Sequence, residues 1–146
     1  MKNEPSKLAR QVYDGWIGVD TAFRLKILPV ISESTITFAQ FEILFAIHHF
    51  GSKKPSVKDL ATFTLKSSSA VTQLVAGLEK DNLVNHVRST KDRRIVYITL
   101  TDEGHKAYND LDSVLISSLQ DVISGLSEQE VMEYIRINNK IAETVK

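Results

Sequence analysis

Cysteine is absent from the 146 residues. That excludes disulfides, thiolate metal ligands and thiol redox sensing together. No apolar run reaches the roughly 18 residues that a membrane-spanning helix needs. The opening Met1-Lys2-Asn3-Glu4-Pro5 lacks the apolar stretch of a signal peptide. A cytoplasmic protein with no membrane partner is therefore expected. A Gly-rich phosphate loop, a nucleophile elbow and an obvious paired-carboxylate site are also missing, so no enzyme is expected. The length suits one domain with a real core.

Net charge is missing too, because 18 Lys and Arg balance 18 Asp and Glu. The balance is uneven along the chain. Residues 1–50 carry five of each sign, residues 51–104 carry nine positive and six negative, and residues 105–146 carry four and seven. The positive surplus lies in the middle, where a polyanion partner would be met.

What is present is mostly helical periodicity. Val12, Trp16, Val19, Phe23 and Ile27 recur at helical spacing, and Pro29 closes this first segment. Thr37–Phe50 forms a second helical pattern that ends in the polar loop Gly51-Ser52-Lys53-Lys54-Pro55. Ser56 with Asp59 three residues on is a capping box for a short third helix. Ser67 or Ser68 caps a fourth, whose Val71, Leu74, Val75 and Leu78 make one apolar stripe. Asn82 is the candidate for the left-handed residue that ends it. Two β-type runs follow, 83–88 and 94–100, around the tip Ser89–Arg93. With no Asn-Gly or Asp-Gly in that tip, the hairpin loop is expected to be longer and more mobile than a two-residue turn. Thr101 with Glu103 opens a long helix broken at Ser124-Gly125, and Ser127 with Glu130 is a capping box for the last. The order is four helices, a hairpin and two helices.

Opposite its apolar stripe the fourth helix presents Ser69, Thr72, Gln73 and Ala76. These groups are small or hydrogen-bonding and leave room for close approach to base edges in a major groove, where Gln pairs with adenine. Ser67, Ser68 and the free N–H groups of the helix N-terminus suit a phosphate. The hairpin then concentrates Arg88, Lys91, Arg93 and Arg94 against the single acid Asp92, which supplies salt-dependent affinity for DNA. An arginine at the tip suits a narrow minor groove. Arg94 is expected to begin the return strand. Asp92 is expected to brace an arginine, Arg94 more than Arg93, by a charge-assisted pair. These features make a mainly α fold with a β-hairpin wing and a double-stranded DNA partner. The alternative is a winged-helix module that binds proteins without DNA.

The sequence resembles the MarR-type regulators of multiple antibiotic resistance and aromatic catabolism. The resemblance rests on Thr37–Leu44, Asp59-Leu60-Ala61, Ser67–Val84 and, most specifically, Asp92-Arg93-Arg94 followed by a strand, Leu100-Thr101 and Gly104. It implies a winged helix-turn-helix over 37–101, with the wing at about 83–100, flanked by dimerisation helices at 1–36 and 102–146 of one MarR-like domain spanning 1–146. It further implies a homodimeric repressor on a pseudopalindromic operator, released by a small, often aromatic or phenolic, effector. Three departures stand out. Gln73 occupies a position where arginine is common, Ala76-Gly77 replaces an Asp-Arg pair, and Asn82 replaces glycine. Gly77 has no rationale in the sequence, since glycine inside a helix costs about 1 kcal/mol.

The stripes Val12-Trp16-Val19-Phe23 and Leu111-Leu115-Leu119-Val122 offer surface for two-fold pairing, in keeping with the symmetry of operators. Tyr13, Trp16, Phe23, Phe41 and Phe45 are the candidates for an effector pocket. No cofactor or metal is expected. His48 and His49 are adjacent on a helix and point about 100° apart, which makes a poor ligand pair.

Overall fold

The computed structural model describes residues 6–144. The opening read against a signal peptide, Met1–Pro5, and the last two residues of the expected C-terminal dimerisation segment lie outside the described residues. The elements are α1 (Lys7–Glu33), α2 (Phe38–Phe50), a 3-10 turn at Gly51–Lys53, α3 (Val57–Thr64), α4 (Ser68–Lys80), β1 (Val84–Arg88), β2 (Val96–Leu100), α5 (Asp102–Ile123) and α6 (Glu128–Glu143). Four helices, a hairpin and two helices follow in the expected order. They fall into two compact units, residues 1–29 with 115–146 and residues 30–114. No single helix among the described residues is long and apolar enough to cross a membrane.

The unit of residues 30–114 holds most of the core. Ile43 and Leu44 of α2, Leu60 of α3, Val71, Val75 and Leu78 of α4, Val84 of β1 and Ile98 of β2 are all fully buried. Three-fold and four-fold spacing on the helices and alternation on the strands place these side chains inward. Each helix start is fixed by local chemistry. Thr37 caps α2 and exchanges hydrogen bonds with Gln40, a capping box that the sequence reading passed over. Ser56 and Asp59 do the same for α3, and these bonds hold the Asp59 carboxyl below its usual range. Ser67, not Ser68, caps α4 through the Ala70 N–H at 3.1 Å. Asn82 ends the helix in the left-handed region at φ 58°. The Leu83 N–H then bonds the Leu78 carbonyl at 2.8 Å and the Asn82 N–H bonds that of Glu79 at 2.9 Å. This is the paired Schellman arrangement, and it turns the chain directly into β1.

β1 and β2 pair antiparallel from Val84 with Leu100 to Arg88 with Val96. A one-residue bridge joins Ser56 to Tyr97, and the buried Pro55 accepts a hydrogen bond from the Ile98 N–H at 2.8 Å. The polar loop before α3 is thereby pinned to the hairpin.

α5 starts against this junction. Thr101 donates its hydroxyl to the Asn82 carbonyl at 2.7 Å and its N–H to the Leu83 carbonyl at 3.1 Å. The same hydroxyl accepts the Gly104 N–H at 2.8 Å. A Cβ on Gly104 would fall inside the Leu83 carbonyl group, 2.9 Å from its carbon.

Four expectations change. α1 does not close at Pro29 but runs on to Glu33. Proline removes one helical donor and crowds the preceding turn. Here Ile27 is buried, and Val30 and Ile31 are half-buried. Packing of that face carries the helix past the proline. Arg94 does not begin the return strand, which starts two residues later at Val96. The hairpin loop therefore spans Ser89–Ile95. It is longer than a two-residue turn, as expected, but internal bonds tie it down: the Ser89 N–H meets the Ile95 carbonyl and the Ile95 N–H meets the Asp92 carbonyl, both at 2.9 Å. Leu74, expected in the buried stripe, is only half-buried.

In the unit of residues 1–29 with 115–146 little is covered. Ile27 and Leu115 are buried, whereas Leu8, Trp16, Leu25, Ile116 and Met132 are each more than half exposed and α6 buries nothing. A charged pair, Lys26 with Asp121 at 3.9 Å, lies on the surface of this unit.

Candidate nucleic-acid interface

The capped start at Ser67 fixes the rotation of α4. With Val71, Val75 and Leu78 inward, helical spacing sets Ser69, Gln73, Ala76 and Lys80 in one outward row. All four are exposed, as are Ser67, Ser68 and Thr72. Lys80 was not among the sequence candidates, though the spacing of four, three and four from Ser69 marks it. It adds a cation at the C-terminal end of the row. Thr72 donates its hydroxyl to the Ser68 carbonyl at 2.8 Å, so it meets a partner mainly as an acceptor.

Gln73 also lines a shallow groove with Ala70 and Leu74 of α4, Thr37, Ala39 and Gln40 of α2, and Lys66. Lys66 pairs with Glu42 at 2.8 Å and is only a quarter exposed, so it ties the α3–α4 turn to α2. Gly77 acquires a rationale here. A Cβ at that position would come 3.1 Å from the amide nitrogen of Gln40, whose oxygen is held by the Thr37 N–H. The missing side chain leaves room for the cap of α2.

On the wing, Arg88 stands at the end of β1, and Lys91, Arg93 and Arg94 are exposed in the loop. Asp92 binds Arg94 three times. Its Oδ1 accepts the Arg94 backbone N–H at 3.0 Å and Nε at 3.1 Å, and its Oδ2 accepts Nη2 at 3.0 Å. The guanidinium side chain is nonetheless 91% exposed. Pairing with Arg94 lowers the Asp92 carboxyl below its usual range and raises the Arg94 guanidinium above its own. The carboxylate thus holds one face of a guanidinium whose other face is open. Lys54, from the loop before α3, lines a groove with Val87, Arg88, Ser89, Thr90, Lys91 and Tyr97. No local pattern marks Lys54; the Pro55–Ile98 bond brings it to the wing.

The aromatic candidates are divided between the two units. Trp16 and Phe23 line an open groove of about 360 Å³ with Val19, Asp20, Leu119 and Tyr134. Tyr13 lies under the Arg10 guanidinium, 5.8 Å from ring centre to carbon. In the unit of residues 30–114, Phe41 is buried and stacked on Tyr108, whereas Phe45 lies at the surface against His49 and Phe63. Burial, then the nearby Asp112, raises the Tyr108 hydroxyl above its ordinary value. His48 stacks on Tyr108 at 4.3 Å while His49 meets Phe63 at 5.1 Å, so the adjacent histidines face different neighbours. Among the described residues no group of three or more His, Asp or Glu could hold a metal ion.

The sequence model of the MarR family matches residues 34–95, the span from the turn before α2 to the end of the wing loop. The HTH-type transcriptional repressor MdtR of Bacillus subtilis (strain 168) is 31% identical over 125 residues, covering 83% of this chain and 79% of that protein. Among solved structures, AbsC, a MarR family transcriptional regulator from Streptomyces coelicolor, superposes with a TM-score of 0.78 at 20% identity over 99% of this chain and 98% of that one. BpsR of Bordetella bronchiseptica, whose DNA binding is regulated by 6-hydroxynicotinic acid, superposes with a TM-score of 0.74 at 23% identity over 90% and 98%.

Proposed function

Since this chain belongs to the MarR family of DNA-binding transcription regulators, we propose that it represses by binding a pseudopalindromic operator as a homodimer. The observation that carries this reading is the exposed row Ser69-Gln73-Ala76-Lys80 together with a braced, outward arginine on the adjoining wing. A helix of that profile fits a major groove, and a tip guanidinium suits the minor groove beside it. Ser67, Ser68 and the first N–H groups of α4 meet the phosphates between them. The exposed apolar side chains of α1 and α6, among them Leu8, Trp16, Leu25 and Met132, support pairing with a second copy, since contiguous apolar surface is rarely left to water.

Release by a small planar effector is part of the proposal. Its support is the groove containing Trp16 and Phe23 and the regulation of BpsR by 6-hydroxynicotinic acid.

The division of labour is tested by titrating variants against one operator at several salt concentrations. Gln73→Ala is expected to cost about 1–3 kcal/mol of discrimination between operator and mutated operator. Lys91→Ala is expected to weaken all duplexes alike and to lower the salt slope by about one. Equal loss of discrimination in both variants would reject this assignment. A flat salt dependence in the parent chain would favour a protein-binding winged helix instead.

A further inference from the structure

The recognition helix and the wing are joined by more than the turn at Asn82-Leu83. Glu79, in the last turn of α4, places Oε1 2.8 Å from Nδ1 of His86 in the middle of β1. Both side chains are part-exposed, at 52% and 39%. His86 is paired across the hairpin with the fully buried Ile98, so it lies on the face of the wing that covers the core. From that rim it leans onto α4. As an ordinary surface ion pair this contact would contribute little to stability. Its place is what matters, because it spans the two elements that must enter neighbouring grooves of one duplex in a fixed mutual orientation.

We propose that Glu79 and His86 are positioning residues, a clamp that sets the angle between recognition helix and wing and so governs DNA affinity. The inference rests on the DNA-binding reading above. When His86 is charged the clamp is an ion pair as well as a hydrogen bond. When it is neutral, Nδ1–H still donates to the carboxylate but without the Coulomb attraction. The neighbours on its face of the hairpin do not replace this contact. From β2 the same-face neighbours Val96, Ile98 and Leu100 carry no charge. On β1 itself Arg88, two residues on, is permanently charged, and from α4 the partner is Glu79.

Electrostatics alone predicts the opposite sign for the decisive variant. Removing the Glu79 carboxylate takes a negative charge away from a DNA-binding surface and should tighten binding. The clamp predicts that Glu79→Gln weakens operator binding, by up to about fivefold, the upper end for an exposed pair. His86→Leu should weaken it comparably. His86→Arg, which keeps a hydrogen-bond donor opposite the Glu79 carboxylate, should retain the affinity of the parent. The experiment is fluorescence anisotropy of the full chain and the three variants on one operator duplex in one buffer, with thermal melts of each protein alongside. The expected result is weakening by Glu79→Gln and His86→Leu with melting points close to the parent's, and rescue by His86→Arg. Tighter or unchanged binding by Glu79→Gln, or no rescue by His86→Arg, would overturn the clamp while leaving the DNA-binding reading intact. A parent chain that binds no duplex would overturn both.

Discussion

Gly104→Ala is expected to lower the melting temperature by about 4–8 °C and to remove DNA binding at temperatures where the parent chain still binds. The glycine sits in the first turn of α5, where a methyl group would be driven into the Leu83 carbonyl group and to within 3.3 Å of the Thr101 hydroxyl. Neither neighbour is a flexible side-chain end. The carbonyl is backbone and is already bound by the Thr101 N–H, and the hydroxyl is fixed between the Asn82 carbonyl and the Gly104 N–H. Relief requires moving the start of α5 away from the α4–β1 turn, which breaks these bonds. Overpacking of this kind costs about 3 kcal/mol at the upper end of the usual range. The gain in helix propensity from alanine, about 1 kcal/mol, offsets only part of it. For a chain of this length each kcal/mol moves the midpoint by roughly 2–4 °C. Thermal unfolding followed by circular dichroism checks the shift. A melting point equal to the parent's would mean that α5 and the turn can slide apart freely, contrary to the packing described.

Arg94→Ala is expected to weaken operator binding by about 2–3 kcal/mol, more than one exposed phosphate contact contributes, while leaving the melting point unchanged. The side chain is almost wholly in solvent, so its removal takes little from the fold. Asp92→Ala separates two accounts by sign. Simple charge counting has a lost carboxylate tightening the hold on phosphates. The observed geometry has Asp92 accepting three hydrogen bonds from the backbone and the guanidinium of Arg94, so that less freedom is lost when DNA arrives. Asp92→Ala is then expected to bind more weakly, and its effect is expected to shrink in the Arg94→Ala background. This dependence is stronger than the sequence suggested. With Arg94 two residues short of β2, the ladder does not hold it, and the Asp92 carboxylate does. Titration of both single variants and the double variant against one duplex at two salt concentrations decides the matter. Tighter binding by Asp92→Ala, or an undiminished effect in the double variant, would reduce Asp92 to a solvated loop residue.

The features legible in the sequence are those made by neighbours along the chain. Ser56 with Asp59 and Ser127 with Glu130 satisfy the first free N–H groups of their helices, and both boxes form as spelled. Asn82 takes a positive φ because its short polar side chain tolerates it, and it turns the chain out of α4. The outward row of α4 was legible except at Lys80, where the row was cut one turn early. Contacts between distant segments were not legible. Nothing local places Lys54 beside the wing, since that follows from a bond between the Pro55 carbonyl and β2. Gly77 was opaque because its reason is the Gln40 amide, nearly forty positions away. Pro29 misled because the rule that proline ends a helix is a statement about backbone cost, and burial of the surrounding face outweighed that cost. The return strand was drawn two residues too long because the β-type run begins before the ladder does. Arg94 and Ile95 are taken instead by the Asp92 turn.

Selection of DNA from a randomised pool of duplexes by the full-length chain tests DNA recognition by α4 and the wing most directly, because it assumes nothing about the operator. Recognition of the kind proposed predicts enrichment of a two-fold symmetric motif with half-site centres one helical turn apart or a multiple of it, about 10–10.5 base pairs per turn. It also predicts that the selected duplex is bound far more tightly than the starting pool, that Gln73→Ala loses part of this preference, and that Arg94→Ala loses affinity without loss of fold. A pool that shows no motif after repeated rounds, bound no more tightly at the end than at the start, would contradict it.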